Sequence, residues 1–134
     1  MSDPSTHAAP NKMQAGMAVI QKLNFVNTAP GTKSAMGAGL MQATVEHLFG
    51  SIWTRPGLTL EERSMTTLTV LVALNRESEQ LLHFRGARNL GISKEKLEEM
   101  ILHVAHYAGW PVAVSASRVL GEVCETMGKE ATAR

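Results

Sequence analysis

Glu79 and His83 stand four residues apart in "NRESEQLLH" (75–83), directly after the apolar run "TTLTVLVAL". On a helix, at about 100° per residue, their side chains lie about 40° apart and Arg76 lies about 20° from His83, while Glu77 points well away. A carboxylate beside an imidazole raises its proton affinity and holds its ring, as a proton donor near neutral pH requires. The same spacing also describes an i,i+4 ion pair on a wet helix surface, stabilising by about 0.3 kcal/mol. Spacing alone favours that plainer reading.

Two further stretches carry reactive or binding groups. In "WTRPGLTLEER" (53–63), Trp53 is large and apolar, and Arg55 and Arg63 flank a turn and a helix start. Arginine clamps a carboxylate through two parallel N–H bonds, although a salt bridge bracing the turn explains these two equally well. In "HVAHYAGWP" (103–111), His103 and Tyr107 fall on the flank of a helix whose apolar stripe faces inward, and His106 points almost opposite. His103 is also one turn from Glu99, so a surface pair is the alternative. An HxxH pair on a helix with so little acidic company argues against a metal site.

These groups need elements to hold them. Residues 1–10 read as a mobile tail, and 11–130 as one domain. Met13, Met17, Ile20 and Leu23 recur at helical spacing, and "NTAPGT" separates them from a second stripe of Leu40, Met41, Val45, Leu48, Phe49 and Ile52. Pro56 and Gly57 break the chain. Thr59 with Glu62 has the spacing of a capping box, opening a helix that is apolar nearly all round from Leu68 to Leu74 and reads as buried and central. The helix of His83 should stop at Gly91, and Ser93 should cap the next, with Glu95 in its first turn. That helix turns Leu97, Met100, Ile101, Val104 and Ala108 inward and ends at Gly109-Trp110-Pro111. A last one turns Val112, Ala116, Val119, Leu120, Val123 and Met127 inward and fades at Gly128. The fold class is all-α.

Composition narrows the function. The chain has 134 residues, 44% hydrophobic, and 13 basic against 12 acidic side chains, so nothing favours a nucleic-acid or membrane-surface partner. A single cysteine, Cys124, allows no internal disulfide, CxxC pair or thiolate zinc site, and fits a reducing compartment, the cytoplasm. No signal peptide or transmembrane run is evident.

Read in order, the RPGL turn, the ExR helix start, the apolar helix running into "ALNR", the ExxxH helix, "ARNLGIS" and "YAGWP" resemble the carboxymuconolactone decarboxylase family over roughly residues 50–125. The resemblance implies an all-helical, alkylhydroperoxidase-D-like bundle of about six helices, assembled as a homo-trimer or hexamer. The peroxidase branch of that superfamily carries CxxC seven and four residues before its histidine. Those positions here hold Arg76 and Glu79, so thiol peroxidase chemistry is not expected.

In the decarboxylase branch a carboxylated γ-lactone loses CO₂ and is its own electron sink, so no cofactor is called for. Carried onto this chain, His83 becomes the proton donor and Glu79 the group that tunes it. Arg55 or Arg63 anchors a carboxylate, and Trp53, His103, Tyr107 and Trp110 border the site of a small acidic substrate. The chain departs from the pathway enzymes at Val114, where Asn is usual, and at His103, where Gln is common. An isomerase, tautomerase or hydrolase-like enzyme acting on another acidic ring compound, or a helical oligomer without catalysis, are the alternatives.

Overall fold

The structure is a computed structural model, and it describes residues 11–24 and 36–134. The tail and the "NTAPGT" turn lie outside the described residues. All the regular structure described is helical: α1 (Lys12–Leu23), α2 (Ala38–Ala43) running directly into a π-helical segment (Thr44–Ile52), α3 (Leu60–Ala73), α4 (Glu77–Asn89), α5 (Lys94–Ala108) and α6 (Trp110–Thr132). The all-α expectation holds.

The helix ends follow local chemistry. Thr59 Oγ1 accepts from the Glu62 amide at 3.1 Å, and Glu62 Oε2 accepts from the Thr59 amide at 2.8 Å. Thr59→Ala is expected to cost about 1 kcal/mol, read as a lower denaturation midpoint. Ser93 caps α5 through the Lys96 amide at 3.1 Å. Gly91 sits at φ +89° and Gly109 at φ +106°, both in the region glycine tolerates, and these two residues turn the chain after α4 and α5.

Two apolar clusters result. The larger is built from α3 to α6 and includes Leu68, Val72, Phe84, Ile92, Leu97, Ile101, Val104, Ala116, Val119 and Leu120. The smaller joins Val19 and Leu23 of α1 to Phe49 and Trp53. Leu90 packs against both, and Asn89 Nδ2 donates to the Leu23 carbonyl at 2.9 Å, so α1 is tied to the end of α4.

Several inward faces differ from the periodic reading. On α1 the buried residues are Gly16, Val19 and Leu23, whereas Met17 is 46% exposed. The reason is a close crossing: a Cβ on Gly16 would lie 1.9 Å from the Val45 carbonyl oxygen, and one on Gly50 would lie 2.1 Å from that of Lys12. In the second stretch Val45, Phe49 and Trp53 are buried, while Leu40, Leu48 and Ile52 are exposed. The expected face is thus narrowed to Val45 and Phe49 and extended to Trp53, along a segment wound in π register.

Helix α3 is not buried all round. Leu68 and Val72 are inside, but Val70 is 51% and Leu74 65% exposed. In α5 it is Ala105 that packs inward and Ala108 that is exposed; in α6 Ala113 is buried, Val112 is half-buried, and the helix continues past Gly128.

Candidate active site

His83 is half-buried on α4, and its imidazole faces the Trp53 indole with ring centroids 6.5 Å apart and planes inclined at 33°. Phe49 backs the indole at 5.3 Å. Trp53 is only 6% exposed, so the imidazole lies beside an apolar wall rather than in water. Burial pushes His83 down from 6.5 to about 4, with Glu79 pulling more weakly upward. The sequence reading had Glu79 raising this pKa. Its direction is right for Glu79 alone, and desolvation outweighs it.

Glu79 itself is turned to Arg76, with Nη2 to Oε1 at 2.7 Å, both side chains largely in solvent. That hydrogen bond is the first cause holding the Glu79 carboxyl below its usual range. Thus the surface ion pair and the half-buried histidine coexist: Glu79 bonds Arg76 and acts on His83 through space. Glu77 points elsewhere, to Arg118 on α6 at 2.6 Å.

Gln80, which the sequence reading passed over, is fully buried, and its Nε2 donates to the Leu71 carbonyl at 3.1 Å. This bond fixes the start of α4 on the end of α3 and so orients the helix that carries His83. Its place one helical turn before Phe84 and two before Ala87, both buried, is the available signal.

The two arginines play different parts. Arg63 Nη2 donates to the Arg55 carbonyl at 2.9 Å, bracing the turn after Trp53. Arg55 is exposed, and its guanidinium has no hydrogen bond among the described residues.

The remaining candidates gather elsewhere. His103 and Tyr107 stack at 5.0 Å and, with Thr69, Ala73, Val104 and Ala108, line a hollow of about 280 Å³ between α3 and α5. Helix α3 packs on both α4 and α5, and Tyr107 is 82% exposed. Trp110 meets His106 edge-on at 5.6 Å, and His106 Nδ1–H donates to the Leu102 carbonyl at 2.8 Å. Trp53 thus borders His83, His103 and Tyr107 line the α3–α5 hollow, and Trp110 stands against His106. Glu99 does not pair with His103. Another hollow, of about 400 Å³, opens between α4 and α6 beside Leu81, Leu82 and Arg85 and holds none of the candidates. Among the described residues no three His, Cys, Asp or Glu side chains are placed to hold a metal ion, and no helix is long and apolar enough to cross a membrane.

An all-helical chain with an ExxxH helix packed on a tryptophan-bearing segment defines a class, and residues 38–122 match the model of the carboxymuconolactone decarboxylase family. The chain belongs to this family. It is 42% identical over 80 residues to 4-carboxymuconolactone decarboxylase of Acinetobacter baylyi, covering 60% of each chain. It is 35% identical over 82 residues to nitrosuccinic acid decarboxylase of Metarhizium robertsii, covering 61% of this chain and 57% of that one. The aligned stretch thus spans less than two thirds of either relative.

Proposed function

We propose that the chain is a cofactor-free carboxy-lyase that decarboxylates a carboxylated γ-lactone of the 4-carboxymuconolactone type in aromatic catabolism. The observation that carries this reading is His83, held against an apolar aromatic wall in a chain 42% identical to a decarboxylase of that substrate. The bond from the γ-carbon to its carboxylate breaks, and the electron pair passes through the ring double bond onto the lactone carbonyl. A proton then returns to the α-carbon. A site kept dry favours spreading the charge into the ring. Nitrosuccinic acid likewise names an acid with an electron-withdrawing group of its own, which supports a family chemistry in which the substrate accepts the electrons.

In this reading His83 carries the proton, Glu79 biases it, and Arg55 anchors a substrate carboxylate while Arg63 braces the turn. The free imidazole is neutral at pH 7, because its pKa is about 4. A bound carboxylate restores its proton affinity, so the proton arrives with the substrate. Calorimetry with a non-reacting dicarboxylate, in buffers of different ionisation heat, is expected to show proton uptake that reaches at most about half a proton per site at pH 7 and grows as pH falls towards 6. His83→Gln should abolish that uptake.

The activity test is direct: purified protein is incubated with 4-carboxymuconolactone and CO₂ release is followed. No release under conditions in which the Acinetobacter enzyme works sinks the substrate assignment. Assembly as a homo-trimer or hexamer belongs to the same proposal. Exposed Val70, Leu74, Leu102, Tyr107 and Val114 support it, because a monomer seldom leaves so many large apolar groups in water. Light scattering at the mass of one chain would remove this part.

A further inference from the structure

The segment before Trp53 is wound in an unusual register. The Trp53 amide donates to the Leu48 carbonyl five residues back at 2.9 Å, and Ser51 Oγ reaches the Glu46 carbonyl, again five back, at 3.2 Å. In an α-helix the Trp53 amide would bond four residues back, and one residue of slip turns a side chain by about 100°. The register is clamped from the other side by α1, whose backbone meets the segment at Gly16 and Gly50 with no room for a Cβ. The segment thus delivers an indole, backed by Phe49, onto the one histidine of α4.

We propose that Trp53 is a positioning residue acting through His83, covering the imidazole and keeping water from it, rather than a wall that touches substrate. The rigid clamp matters because a ring 6.5 Å away excludes water only while its place is fixed. Glu79 of its own helix, paired with Arg76, acts on the imidazole as a charge, and the residue that follows the π segment sets an uncharged ring against it. Trp53 thereby helps to keep His83 neutral in the resting protein. The importance of this for catalysis rests on the function proposed above, but the inference concerns the ligand-free protein and is tested without substrate.

The experiment follows the ring-proton resonances of the five histidines by NMR against pH, with His83→Gln assigning the signal of interest. In the unaltered protein the His83 midpoint is expected at about 4. Trp53→Leu, which leaves a gap for water, is expected to raise His83 proton affinity about tenfold or more, whereas Trp53→Phe keeps the midpoint low. A tryptophan that only fills the core would lower thermal stability in the Leu variant and leave the midpoint unmoved. One that only contacts substrate would change KM and leave it unmoved. Either result overturns the proposal, and so, with no variant needed, does an unaltered protein whose His83 titrates near 6.5. A protein that shows the expected His83 behaviour but releases no CO₂ from the lactone would sink the substrate reading and leave this inference standing.

Discussion

His83→Gln is expected to lower kcat for lactone decarboxylation by about 10²–10⁴-fold, the usual worth of a positioned proton-transfer group, with the helical fold retained. Glutamine keeps hydrogen-bonding capacity but cannot exchange a proton, so the loss falls on kcat rather than on KM. A variant that turns over at the wild-type rate would remove His83 from the mechanism.

The same substitution has a second signature, in stability. The folded-state pKa of about 4 lies below the ordinary 6.5, so the unfolded chain binds more protons between those values. The neutral, buried imidazole is therefore accommodated without cost above pH 6.5, and stability is lost progressively as pH falls towards 4. The full loss amounts to about 3 kcal/mol. Below the folded pKa the contribution stays flat. Denaturant titrations at several pH values should show this slope in the wild type, over and above that of the carboxylates, and a shallower one in His83→Gln.

Gly16→Ala is expected to be the most damaging small substitution in the chain. The added methyl would stand 1.9 Å from the Val45 carbonyl oxygen, which is backbone and cannot swing aside. Helix α1 must then move away from the π segment or both must bend. Overpacking of this kind costs about 3 kcal/mol, corresponding to a fall of about 10 °C in Tm for a chain of this size. Gly50→Ala, at 2.1 Å from the Lys12 carbonyl oxygen, should behave alike. By contrast Gly121→Ala meets nothing within 4 Å in the middle of α6 and should be neutral or slightly stabilising. A thermal melt of the three variants checks the ranking. Equal Tm values for Gly16→Ala and Gly121→Ala would show that the crossing is not tight.

These predictions draw on features of unequal legibility in the sequence. Helix starts and stops are local, which is why the Thr59–Glu62 box, the Ser93 cap and the Gly91 turn are readable from residue order. The inward face of α1 is not local. Met13 and Met17 satisfy a helical stripe, yet the face is chosen by Gly16, whose lack of a side chain admits a distant backbone.

The second stretch misleads for another reason. Its α-helical repeat correctly picks out Val45 and Phe49, but it also includes Leu40, Leu48 and Ile52, which are exposed, and leaves out Trp53, which is buried. At the site, the partnership of Glu79 with Arg76 and His83 follows from spacing on one helix. Burial, not Glu79, sets the sign of the histidine's shift, and the tryptophan beside it comes from thirty residues upstream, so no periodicity connects the two. His103 and Tyr107 line a hollow between α3 and α5 while Trp53 stands against His83 of α4, and spacing along single helices does not relate residues held on different helices.

The two apolar clusters, joined through Leu90 and the Asn89 bond to Leu23, have a thermal consequence. The smaller cluster holds few side chains, so α1 and the π segment, tightly crossed on each other, are expected to separate as one unit from the four-helix core before that core unfolds. Trp53 belongs to that unit, whereas His83 sits on α4 of the core. On warming, the indole leaves the imidazole while most helical signal remains. Decarboxylation of the lactone is then expected to fade at a lower temperature than the circular-dichroism transition, with amide exchange in α1 outpacing that in α4 through α6.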